Sequence, residues 1–175
     1  MTRQIIQPLP GYSPAIGRLV SMLTYVRETL LHAVDGLTLE DLDHTHDPKS
    51  NSIGALLAHA AAVERWYQVL TFEEREPTEA DEAPRLAALD LGDLGRRELR
   101  GRDLAGYLDD LAAGRKDTLE ALAKRDDDWL ERPLAALPEM NAHWAWFHVA
   151  EDEISHRGQI HWLRKRLPAR ERSIG

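Results

Sequence analysis

Four separate stretches of this chain repeat their apolar residues at helical spacing, and that repetition limits the fold more than any other feature. In residues 14–35 the stripe is Ile16, Leu19, Val20, Leu23, Leu30 and Val34. In 53–71 it is Ile53, Leu56, Leu57, Ala60, Val63, Tyr67 and Leu70, and in 104–125 it is Leu104, Tyr107, Leu108, Leu111, Leu119 and Leu122. The fourth stretch, 141–167, reads NAHWAWFHVAEDEISHRGQIHWLRKRL, with Trp144, Phe147, Ile160 and Leu163 expected on its apolar side. Spacings of three and four place such residues on one face of an α-helix. No alternating strand pattern competes, and Leu and Ala outnumber β-branched residues. Long helices with one apolar face bury it against one another, so the expectation is an all-α chain, a four-helix bundle in a single domain over 1–175.

Local signals mark the boundaries. Ser13-Pro14 is a helix start, with Ser as N-cap and Pro in the first turn, and Gly36 is a stop. In 37–51, Thr38 opens a single turn, and His44 and His46 fall on a polar loop. Ser52 and Asp103 are N-caps for the second and third long helices. Residues 72–102 carry the acidic run Glu73, Glu74, Glu76, Glu79, Asp81 and Glu82, broken by Pro77 and Pro84. That stretch is expected to be an exposed connection with a short helix near 84–90. Pro133 and Pro138 punctuate the approach to the last helix.

The formal net charge of −8 excludes a general basic surface for nucleic acid. Arg164, Lys165 and Arg166 are the exception, and they complement the dipole where the last helix ends. With no cysteine, disulfides and thiol nucleophiles are excluded, and any metal must be held by His, carboxylate or water. No segment has the ~18 apolar residues of a membrane span, and the N-terminus lacks a signal-peptide pattern. A cytoplasmic location is the expectation.

The last helix carries chemistry. His148, Asp152 and His156 recur every four residues and stack on one side. Ionisable groups on a face due for burial need partners, and a shared metal ion is one solution. Ligands four apart are separated by about 6 Å of rise, whereas His148 and His156 are separated by about 12 Å. Either His148/Asp152 or Asp152/His156 can meet on one ion. His59, in the buried stripe of the second long helix, taken alone reads as a hydrogen-bonded core histidine.

The segments SIGALLAHAAAVERW (Ser52–Trp66) and HVAEDEISHRGQI (His148–Ile160) resemble the DinB-like family, also described as DinB/YfiT-like metalloenzymes. The resemblance spans most of the chain. It implies an up-down-down-up four-helix bundle, a homodimer, and a divalent metal held by one His of the second helix and two ligands four apart on the fourth. By position these are His59, Asp152 and His156. Most of the family has His where this chain has Asp152, and mycothiol-dependent relatives such as maleylpyruvate isomerase have Glu, one methylene longer. Glu153, three residues before His156, is the alternative carboxylate. Two His and one carboxylate suit Zn, Ni, Fe or Mn. Gln159 is either a hydrogen-bond donor near the ion or, with Gly158, a packing residue. His143 and His161 fall off the metal face, and Trp146 and Trp162 are packing residues. The functional expectation is a metal-dependent transferase or isomerase using a low-molecular-weight thiol. The alternative is a non-catalytic, stress-related dimer whose metal is structural.

Overall fold

The computed structural model describes residues 5–168, so Met1–Gln4 of the expected lead-in and the last seven residues lie outside the described part. Among the described residues the regular elements are helical, apart from one isolated bridge between Pro133 and Asn141. In chain order they are α1 (Pro14–Val34), α2 (Leu39–Asp43), α3 (Ile53–Phe72), α4 (Glu79–Glu82), a 3-10 turn (Ala83–Arg85), α5 (Leu86–Asp90), α6 (Gly92–Glu98), α7 (Leu104–Leu122), α8 (Asp127–Glu131) and α9 (Ala142–Arg164). The four long helices fall where the apolar repeats place them. Helix α3 packs on both α7 and α9, and α9 packs on α1.

Helix starts follow from local chemistry, with one exchange of partners. The Ser52 hydroxyl accepts from the Ala55 amide at 3.2 Å, the Asp103 carboxylate from Gly106 at 2.9 Å, and the Asn141 side chain from Trp144 at 2.8 Å. Ser13 stands at the N-cap of α1 but does not cap it. Its hydroxyl donates to Asp127 at 2.5 Å, and the Asp127 carboxylate accepts from the Ala15 and Ile16 amides at 3.0 and 3.2 Å. The first helix is therefore capped from α8, more than a hundred residues away. Gly36, at φ +72°, turns the chain after α1 in the left-handed region.

The core has two apolar halves. One gathers Leu19, Leu23, Leu70, Leu122, Trp129 and Trp146; the other gathers Leu30, Leu42, Ile53, Leu57, Leu111 and Ile160. Between them lies a buried ionic quartet, with one residue from each long helix: Arg27 of α1, Glu64 of α3, Arg115 of α7 and Glu153 of α9. Arg27 donates to Glu153 at 2.7 and 3.1 Å, to Glu64 at 2.8 Å and to the Leu111 carbonyl at 2.6 Å. Arg115 donates to Glu64 at 2.7 Å, to Glu153 at 2.6 Å and to the Leu23 carbonyl at 2.6 Å, and Thr118 donates to Glu64 at 2.7 Å. Two cations and two anions balance, so burial does not leave an isolated charge.

Two expectations are corrected here. Trp144 and Phe147 are 46% and 53% exposed, not on the buried side of α9; the inward positions of that turn are Ala145, Trp146 and Val149. Residues 72–102 are not merely a solvated connection. Four short helical pieces, from α4 to α6, fold back so that α5 lies on α3, with Ala88 and Gly95 buried. The acidic run is partly structural: Asp81 closes a capping box with Thr78 and pairs with Arg75 at 2.6 Å.

Candidate metal centre

Helix α3 presents His59 and helix α9 presents Asp152 and His156 to a shared point. The three residues offer ligand atoms that lie within 4.8 Å of one another. Asp152 Oδ1 is 3.1 Å from His156 Nε2 and 3.6 Å from His59 Nε2, and the two imidazole rings meet edge to face at 4.8 Å. Metal–ligand bonds of 2.0–2.2 Å put neighbouring donor atoms about 2.9–3.5 Å apart. The two Asp152 distances are close to that separation, and the full set of donor atoms falls within 4.8 Å. All three side chains are mostly buried, at 12–15% exposure.

The bonding around the triad fits a cation. His59 Nδ1 lies 2.7 Å from the Ala88 carbonyl. A carbonyl only accepts, so Nδ1 carries the hydrogen and a neutral His59 keeps its lone pair on Nε2, facing Asp152. Asp152 Oδ2 and His156 Nδ1 are buried and have no hydrogen-bond partner among the described residues. Unpaired buried donors and acceptors are costly, and a bound ion with its water would relieve that cost. Burial alone would raise the Asp152 pKa, but hydrogen bonds from His156 and His59 hold it well below the usual carboxylate range. Burial lowers that of His59, and contacts with Asp152 and the Ala88 carbonyl outweigh this and raise it. A field that retains a proton on His59 also favours a divalent cation in its place.

The candidates from sequence separate cleanly. Glu153, the alternative carboxylate, is 1% exposed and held by Arg27 and Arg115, so it is removed as a ligand. His148 stacks on Trp144 with ring centroids 5.1 Å apart and lies 3.3 Å from Glu151, one turn away from the triad. Gln159 and Gly158 are exposed, a Cβ at Gly158 would meet nothing within 4 Å, and neither residue shows a bond to the triad among the described residues. His143 lies 3.4 Å from Glu131, His161 is exposed, and His46 sits edge-on to Trp162 at 4.8 Å. Trp146 is fully buried, while Trp162 is 44% exposed.

An open cleft of about 460 Å³ adjoins the triad, bounded by α3, α5 and α9. Tyr67 and Trp66 of α3 and His148 of α9 form part of its wall, and His59 and Asp152 reach its floor. Burial and the Asp152 charge raise the Tyr67 pKa, so this side chain stays a phenol that can donate a hydrogen bond. Sequence reasoning missed Tyr67 as a site residue and the role of α5. Tyr67 lies eight residues after His59 on the same stripe, a signal that was available; the Ala88 carbonyl left none.

No helix among the described residues is long and apolar enough to cross a membrane. No curated protein matches the chain. The model of one family does match, over residues 18–169, and its description is mycothiol-S-transferase. That span includes all three residues of the triad and most of the chain, so the chain belongs to the mycothiol-S-transferase family, a DinB-like family.

Proposed function

We propose that this chain is a metal-dependent S-transferase. It joins a low-molecular-weight thiol, mycothiol by the name of its family, to an electrophile bound in the cleft between α3, α5 and α9. The observation that carries this reading is the convergence of His59, Asp152 and His156 beside a cleft that His59 and Asp152 line, with two buried polar atoms of the triad lacking hydrogen-bond partners among the described residues. The donor set of two imidazoles and one carboxylate suits a divalent transition ion such as Zn, Ni, Fe or Mn. When bound, such an ion makes a coordinated thiol far more acidic.

The remaining work belongs to the chain. The Ala88 carbonyl holds His59 in one tautomer and orientation. Arg27 and Arg115 grip Glu153, the residue after Asp152, and so fix the rotation of α9 that turns Asp152 and His156 toward α3. Tyr67 supplies a hydrogen-bond donor at the cleft wall, and Trp66 a flat apolar surface. The chain has no cysteine, so the sulfur nucleophile comes from the bound thiol. Its proton leaves to solvent, the sulfur–carbon bond forms, and the leaving group departs with its electron pair.

The architecture we propose is an up-down-down-up four-helix bundle acting as one domain and as a homodimer. The outer face of α9 supports the dimer, because Phe147, Ile154 and Trp162 are 44–53% exposed along one helix. A monomeric mass by light scattering would remove that part of the proposal.

Metal analysis of protein purified without a metal-affinity column tests the core of it. About one equivalent of a transition metal is expected, and His59→Ala should lose it; under about 0.2 equivalents with no uptake on titration sinks the metal reading. Mycothiol conjugation to an uncharged chloroacetamide then tests the transferase step.

A further inference from the structure

The cleft beside the triad has a one-sided charge. Its apolar wall is Val63, Trp66, Leu86 and Leu89, and its charged lining is Glu82, Asp90 and Asp152. None of the described residues lining it is Lys or Arg. Arg85, the cation next to this wall in sequence, lines the adjoining clefts and donates to the Asp81 carbonyl at 3.3 Å. Glu82 is anchored in place, accepting from the Trp66 indole at 2.9 Å, so carboxylate and aromatic face are presented together. Sites that take carboxylates or phosphates present Arg forks or helix N-termini to them. This cleft presents carboxylates.

We infer that the electrophile taken by this S-transferase is an uncharged or cationic organic molecule with an apolar body, and that Glu82 and Asp90 exclude carboxylate-bearing electrophiles. The inference rests on the S-transferase reading and deepens it. A divalent ion with two imidazoles, Asp152 and an incoming thiolate has no net charge left over. Glu82 and Asp90 then set the sign of the field felt by the second substrate. The apolar wall favours an aromatic or alkyl body, which can lie against Trp66, Leu86 and Leu89. Like charges brought together at a binding surface are a strong source of rejection. Within the isomerase branch of the expectation from sequence, the same field excludes substrates that carry carboxylates.

The test uses the full chain, zinc-loaded and metal-free, with three unreactive probes: N-benzylacetamide, its 4-carboxy analogue and its 4-trimethylammonio analogue. Binding is read by calorimetry. The neutral and cationic probes are expected to bind at least about tenfold tighter than the carboxylate. Glu82→Gln/Asp90→Asn should bring all three within about twofold of one another. Asp90→Asn alone, a change at an exposed position, should shift the ratio part of the way and guards against misfolding of the double variant. The inference is overturned if the carboxylate binds as tightly as the neutral probe, if the variants leave the ratio unchanged, or if no probe binds below about 5 mM. The matching chloroacetamides with mycothiol separate this from the parent reading. In their reaction sulfur bonds to the CH2 carbon, the C–Cl bond breaks, chloride leaves with the electron pair and the thiol proton goes to water. The same charge order in transfer rate supports both claims. The expected binding order with no transfer at all supports charge selection and refutes the S-transferase.

Discussion

Removing Glu64 tests the buried quartet most directly. This carboxylate is fully buried and receives Arg115 at 2.7 Å, Arg27 at 2.8 Å and Thr118 at 2.7 Å. Glu64→Ala leaves two guanidinium groups, each 7% exposed, facing the single charge of Glu153. Deleting one partner of a buried ion pair costs about 3–5 kcal/mol, because the other charge stays desolvated. Against a total stability of about 5–15 kcal/mol, that is a large fraction. At about 2–4 °C per kcal/mol for a chain of this size, the melting temperature should fall by roughly 6–20 °C. Urea unfolding followed by circular dichroism reads the same loss as a lower midpoint at unchanged slope.

The same residue predicts an acid dependence. Burial by itself raises the Glu64 pKa, but the charges of Arg115 and Arg27 outweigh it and leave the value below normal. The folded value is therefore depressed relative to an unfolded value of about 4.3. Its stabilisation is fully present above about pH 5 and is lost as pH falls through the folded value. Glu64→Gln should flatten the acid limb of the stability curve. In a double-mutant cycle, Glu64→Gln combined with Arg115→Met should cost less than the sum of the two, since the pair removes both charges. A Glu64→Ala protein within about 1 kcal/mol of the parent at neutral pH would refute the reasoning.

Three further outcomes are expected. In Gly17→Ala the new Cβ would meet the Leu9 backbone nitrogen at 2.6 Å and its oxygen at 3.1 Å. Despite the roughly 1 kcal/mol that Ala gains over Gly in a helix, overpacking of about 1–3 kcal/mol should leave the variant less stable, and an unchanged or raised melting temperature would contradict this close approach. Trp146→Ala removes a fully buried ring stacked on Phe72 at 5.1 Å, and thermal melts should show a loss of about 3–5 kcal/mol. His148→Ala should keep stoichiometric metal by mass spectrometry and change the KM of the thiol-transfer reaction, because His148 lines the cleft but stands outside the triad. Loss of metal in that variant would return His148 to the ligand set.

The positions of the long helices were legible in the chain because each is a local matter. Apolar spacing, Ser52, Asp103 and Gly36 act within a few residues of where they stand, and the helices begin and end close to them. The spacing showed two candidate pairs on α9, His148/Asp152 and Asp152/His156; family resemblance chose the second and joined His59 to it. The quartet could have been suspected from four charges inside apolar stripes: Arg27 between Leu23 and Leu30, Glu64 between Ala60 and Tyr67, Arg115 between Leu111 and Leu122, and Glu153 between Val149 and Ile160. Each alone reads as a surface residue displaced by one position. Their mutual neutralisation exists only when four helices meet.

What no local pattern could decide was which distant group answers which. Asp127 caps α1, the Ala88 carbonyl orients His59, and α5 turns an acidic connection into a cleft wall. A backbone carbonyl has no side-chain signature, and a carboxylate looks the same in a sequence whether it meets solvent, a helix end or a guanidinium. Helix periodicity follows from the chain's own geometry, so it is written along the sequence. Pairing of charges depends on distances across the core, which packing of the four helices sets.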